Sequence, residues 1–111
     1  MFTAVAATVL TCLSPTAVDG DTLRCANVTS NIRLWGIQAP ERGAAGWAES
    51  RASLQTLAEG GVVCEVKGTS YERVVGQCYN TRLFDLGFFQ LQERHATEWC
   101  RFSQGFYGTC R

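Results

Sequence analysis

The chain has 111 residues, 46% of them apolar and 18% charged, a composition that suits one packed core and speaks against disorder. Ten basic and ten acidic residues cancel, which excludes a broad positive field, so any contact with a polyanion must come from a local cluster of arginines and be sensitive to salt. No stretch reaches the roughly 20 apolar residues of a membrane helix, and no repeat or low-complexity stretch divides the chain, so residues 1–111 are read as a single domain.

The opening MFTAVAATVL is apolar and rich in small residues, without a basic leader and with an apolar run short for an export signal. Residues 1–10 are thus either the remnant of a signal segment or the first strand, and the strand is favoured. From there TVLTCLSPTAVDGDTLRCANV alternates around Asp19-Gly20, a dipeptide suited to tight hairpin turns. Two strands are expected to flank residues 19–21. Their register puts Cys12 and Cys25 two places out of step, so a bridge between them needs a bulge, and Pro15 is the expected place. NIRLWGI then sets Ile32 and Leu34 on one face and Arg33 and Trp35 on the other, the period of a third strand.

Between Glu41 and Glu59 the pattern turns helical, with Trp47, Leu54, Leu57 and Ala58 on one stripe and Gly60-Gly61 as a stop. Residues 62–68 and 72–79 read as two strands of a hairpin that puts Cys64 roughly opposite Cys78. A second helix is expected over about 83–93, from Phe84, Phe88 and Leu91. The tail WCRFSQGFYGTCR has no clear period. The order of elements is that of an α+β, mainly β chain: a five-stranded barrel of the OB type carrying two or three helices, whose face commonly takes oligonucleotides or oligosaccharides.

Six cysteines, Cys12, Cys25, Cys64, Cys78, Cys100 and Cys110, are an even number with no CxxC pair. Disulfides in an oxidising compartment fit this spacing better than a zinc site does. Of fifteen connectivities, sequential pairing is favoured because each bridge then closes a short loop, worth about 2 to 3 kcal/mol apiece. A zinc site remains the weakest reading and requires free thiols.

Three separated clusters stand out: Asp19-Gly20-Asp21-Thr22, the run from Arg33 to Glu41 in IRLWGIQAPE, and Tyr71-Glu72-Arg73. Taken together, and in this order, they resemble the staphylococcal-nuclease (thermonuclease) family, whose usual text is DGDT, IRLxGIDAPE and DxYGR. The resemblance runs from about residue 12 to 96, and LTC before DGDTLRC is similar to the short cysteine-bearing exported bacterial members. It implies a calcium-dependent phosphodiesterase acting on DNA or RNA, a monomer with no membrane association, exported to the periplasm or medium, its signal peptide absent or truncated in this sequence.

By that resemblance Asp21 and the residue at position 38 hold the calcium ion, Arg33 and Arg73 grip the phosphate, Glu41 positions or deprotonates the attacking water, and Tyr71 contacts the nucleotide. The chemistry calls for these types, because in-line attack builds charge on the equatorial oxygens that two guanidiniums and a cation stabilise. The departures are Gln38 for the ligand Asp, Glu72 for Gly, Thr69 for Asp and Arg94 for Gly. Gln38 removes one full charge from a site for a hard cation, so calcium affinity is expected to fall, although an amide oxygen can still coordinate.

Each feature alone has a plainer reading. Asp19-Gly20-Asp21 is ordinarily a turn, Arg33 a surface residue, Glu41 a helix-start carboxylate and Arg73 beside Glu72 a weak surface pair. His95, the one histidine, has no partner nearby in sequence and is given no role. Trp35, Trp47 and Trp99 are read as core or rim, with base stacking left open for Tyr71 and the FYG tail. The competing function is a non-catalytic OB-type module that binds oligonucleotide or anionic polysaccharide, for which Gln38 and Glu72 argue.

Overall fold

A computed structural model describes residues 8–111. The expectation for residues 1–7 lies outside the described residues. Eight strands and three helices follow one another: β1 (Val9–Cys12), β2 (Thr16–Asp19), β3 (Thr22–Arg24), β4 (Ile32–Leu34), β5 (Ile37–Gln38), α1 (Trp47–Leu57), β6 (Val62–Ser70), β7 (Arg73–Tyr79), α2 (Leu86–Gln92), β8 (Thr97–Glu98) and α3 (Cys100–Ser103). Six strands form a curled, half-barrel sheet in the order β1-β6-β7-β4-β3-β2, and β5 pairs with β8 in a second, two-stranded sheet. The chain is mainly β with helices, as its alternating segments indicated.

The sheet has six strands where five were expected, because the first expected strand is broken. Ser14 adopts φ 46° and Pro15 after it has no N–H to offer a ladder, so β1 ends at Cys12 and β2 begins at Thr16. β1 pairs with β6, and β2 pairs with β3. Cys12 and Cys25 therefore never face each other across one hairpin, and their bridge needs no bulge at Pro15. The irregularity lies instead between Ala17 and Asp19, just before the turn.

The disulfides are Cys12–Cys25, Cys64–Cys78 and Cys100–Cys110, the sequential pairing. Cys64 and Cys78 are direct cross-strand partners. No cysteine is free, which removes the thiolates that a zinc site would need. The buried apolar side chains form one core around Leu23, Ile32, Leu34, Ile37, Leu54 and Leu86. Ile32 and Leu34 point into it as the alternation predicted.

Both sheet edges are met by side-chain amides. On β2, Ala17 N–H donates to Gln55 Oε1 at 2.8 Å, and Gln55 Nε2 donates to the Pro15 carbonyl at 3.1 Å. Near β1, Leu13 N–H donates to Asn27 Oδ1 at 2.9 Å, and Asn27 Nδ2 donates to the Thr11 carbonyl at 2.8 Å. Each amide presents a donor and an acceptor as a strand would.

The helices are shorter than their patterns. α1 starts at Trp47 rather than near Glu41, because Gly43 and Gly46 lie at φ 89° and 85°, a left-handed conformation that cannot continue a helix. Leu54 and Ala58 are buried as expected. Of the stripe expected for the second helix only Leu91 packs against the core: Phe84 and Phe88 are exposed, and Leu86, Gly87 and Gln90 face inward. Asp85 caps this helix by accepting from Phe88 N–H at 3.2 Å, which fixes its start and turns the 86/90 face to the core.

Candidate functional site

The turn between β2 and β3 carries Asp19 and Asp21, and it is held from below by a buried polar network. Gln90, with no exposed surface, donates through Nε2 to the Gly20 carbonyl at 2.8 Å and the Ser50 carbonyl at 2.9 Å. Ser50 Oγ donates to the His95 carbonyl at 2.8 Å. A Cβ on Gly20 would stand 1.6 Å from Ser50 Oγ, so only glycine lets the turn sit this close to α1. From above, Trp47 Nε1 donates to Asp19 Oδ1 at 2.7 Å.

Asp21 is buried, and both its oxygens are engaged. Thr22 Oγ1 donates to Oδ1 at 2.9 Å, Ala39 N–H donates to Oδ2 at 2.8 Å, and Arg33 Nη2 lies 3.3 Å from Oδ2. Arg33 stands on β4 between β3 and β7, donates through Nη1 to the Leu34 carbonyl at 2.8 Å, and lies 5.4 Å from the centre of the Trp99 ring. Burial pushes the Arg33 pKa below that of a free arginine; Asp21 pulls it up, Arg73 pushes it down, and Asp19 pulls it up. That mutual repulsion places the two cations in each other's field.

Asp19, Asp21, Arg33, Gln38, Glu41 and Arg73 all line one recess of about 170 Å³, with Ala39, Pro40 and Trp99 completing its wall. Five of the six residues expected to carry catalysis or binding thus meet in one place, although they come from positions 21 to 73 of the chain. Tyr71, the sixth, is 90% exposed and lines a neighbouring apolar recess of about 90 Å³ with Arg33, Arg73, Trp35, Trp99 and Phe102. Tyr71 and Glu72 form the two-residue turn between β6 and β7, at φ 48° and 64°. Both positive angles fit the primed hairpin turn, which favours Asn or Gly; Glu72 therefore sits in a conformation better suited to glycine.

The donor set suits a hard cation in kind, since Asp19, Asp21, Glu41 and Gln38 offer only oxygen. It is weak in number and in charge. Asp21 is already paired with Arg33, Gln38 carries no charge, and among the described residues no three His, Cys, Asp or Glu side chains converge closely enough to hold a metal ion. A calcium ion here would be held by few charged ligands and many waters.

The tail is the part that sequence reasoning missed. Ile37 and Gln38 pair with Glu98 and Thr97, and Trp99 N–H donates to the Gly36 carbonyl at 2.8 Å. This short sheet delivers Trp99 to Arg33 and Phe102 to the apolar recess. Trp99, read as core or rim, is an exposed wall of both recesses. Glu98 orders the rest of the tail: it accepts from Ser103 Oγ at 2.5 Å, Tyr107 N–H at 3.0 Å, and Thr109 N–H and Oγ1 at 2.8 and 2.7 Å. Burial alone would raise its pKa, but these bonds from Ser103, Thr109 and Tyr107 outweigh it and bring the carboxyl down to about 2. Tyr107 ties the tail to α2 through bonds from its hydroxyl to both Asp85 oxygens at 3.0 Å. Burial, with Asp85 beside it, raises the Tyr107 pKa and keeps the phenol protonated. No spacing rule points to these contacts, because each joins residues of an aperiodic segment.

No helix among the described residues is long and apolar enough to cross a membrane. Compared with known proteins, the chain matches no family model and no curated protein.

Proposed function

We propose that this chain is a thermonuclease-like phosphodiester hydrolase acting on DNA or RNA, that its curled sheet belongs to the OB type, and that its three disulfides serve an exported protein. The observation that supports this most is the recess that Arg33, Arg73 and Glu41 line together with Asp19 and Asp21. Two guanidiniums can grip the non-bridging oxygens of one phosphodiester and stabilise the charge that develops there. Glu41, exposed and in no ion pair among the described residues, is the group free to take a proton from water as that water attacks phosphorus and the P–O bond to the leaving strand breaks. Asp21 and Gln38 would hold a weakly bound calcium ion, which when present supplies further positive charge at the phosphoryl oxygens. Tyr71 and Trp99 offer ring faces to the adjoining base.

The experiment is cleavage of single-stranded DNA and RNA with calcium, with chelator, and by an Arg73→Ala variant. Calcium-dependent cleavage that the variant loses is the expected result; its absence overturns the hydrolase reading. A second reading, a binding module without turnover for oligonucleotide or anionic polysaccharide, is favoured by one observation: both Asp21 oxygens are committed within the protein, and its expected co-ligand is neutral. Calorimetry separates the two, since the module should take up no calcium at millimolar concentration and still bind the polyanion.

A further inference from the structure

The segment Gln38-Ala39-Pro40-Glu41 is a ridge rather than a wall. Its four residues line the recess of Arg33 and Arg73 and also an open cleft of about 390 Å³, which Arg94 and His95 line as well. Both follow α2 directly, and their backbone is pinned. Arg94 closes the helix at φ 60° with its N–H on the Leu91 carbonyl, His95 N–H donates to the Gln90 carbonyl at 2.8 Å, and the His95 carbonyl accepts from Ser50 Oγ. Neither residue takes part in an ion pair among the described residues.

A cleft lined by Arg94 and His95, neither of them in an ion pair among the described residues, next to a recess suited to one phosphate, is suited to a second. We propose that Arg94 and His95 form a further phosphate subsite, which takes the phosphate adjoining the one between Arg33 and Arg73. The strand then crosses the ridge at Pro40, and the ligand is an oligonucleotide rather than a single nucleotide. Charge argues for this path. Glu41 is the one carboxylate lining the cleft and would by itself repel a strand lying over the ridge, whereas Arg94 in the same cleft offsets that repulsion. The inference rests on the phosphodiester reading of the first recess and extends it to substrate length.

The test is metal-free binding, in chelator, of a 12-nucleotide single-stranded DNA and of thymidine 5′-phosphate, read by calorimetry over a range of salt. Arg94→Gln should weaken the 12-mer about fivefold, lower its salt slope by about 0.7, and leave the mononucleotide unchanged. His95→Gln should act in the same direction, Arg94→Lys should recover most of the loss, and Arg73→Gln should weaken both probes. Equal melting temperatures establish that each variant is folded; if Arg94→Gln is not, His95→Gln decides in its place. Wild-type affinity of the Arg94 and His95 variants for the 12-mer, with both probes weakened by Arg73→Gln, overturns the second subsite and leaves the first standing. An effect of Arg94 without one of Arg73 overturns the clamp and, with it, a subsite placed beside the clamped phosphate. No binding of the 12-mer to the wild type overturns both.

Discussion

Arg33 on β4 and Asp21 in the turn just before β3 lie 3.3 Å apart, each side chain about a tenth exposed, so neither charge has water as a ready alternative to the other. Such a pair stabilises little relative to apolar residues of the same volume, but removing one partner strands the other. Asp21→Ala should therefore cost about 3 to 5 kcal/mol in urea unfolding. The double variant Asp21→Ala/Arg33→Met should regain most of that loss. If the double variant is no more stable than the single one, the pair does not carry the cost.

Gln38→Asp adds a negative charge on the rim of the same recess. Calcium affinity should rise roughly tenfold, as expected for an added carboxylate near a hard cation, and any cleavage should rise with it. Calorimetry and the cleavage assay report the two separately. Tighter calcium with no gain in cleavage would mean that calcium affinity at residue 38 does not limit cleavage.

The tail should loosen in acid. Glu98 has a folded pKa of about 2 against an ordinary value of 4.5, so the folded state binds its proton less readily than the unfolded chain does. The stabilisation is full above about pH 4.5, shrinks as the pH falls, and is gone below about 2. Fluorescence of Trp99, its sequence neighbour, should report the change over that window. Glu98→Gln should flatten the profile while lowering stability at neutral pH.

Glu72→Gly should stabilise the protein by about 0.5 to 1 kcal/mol, because relief of a left-handed non-glycine residue exceeds the entropy that glycine adds to the unfolded chain. Thermal unfolding measures it. A decrease would show that the Glu72 side chain makes up for its backbone.

Much of the candidate site was legible because it is written in short runs. Asp21, Arg33, Gln38, Glu41 and Arg73 were named through the resemblance carried by three short runs taken together, not through any one local pattern, and the fold lines one recess with all five. Local spacing made the disulfides readable, since each closes a loop of 10 to 14 residues. Reading failed where a single residue overrode a pattern. Ser14 and Pro15 cut a strand in two, Gly43 and Gly46 delayed a helix, and the Asp85 cap turned α2 so that Gln90 rather than Phe88 faces inward. Trp99 escaped because its position is set by pairing between β5 and β8, sixty residues apart and two residues long, which leaves no period to detect.

Gln55 and Asn27 have a consequence at high concentration. An open sheet ends in rows of unpaired amides and carbonyls, and those rows recruit strands from neighbouring molecules. Here each end meets a side-chain amide that takes up one donor and one acceptor, Ala17 and Pro15 at one end and Leu13 and Thr11 at the other. Those bonds leave fewer free donors and acceptors at both ends of the curled sheet for a neighbouring strand to pair with.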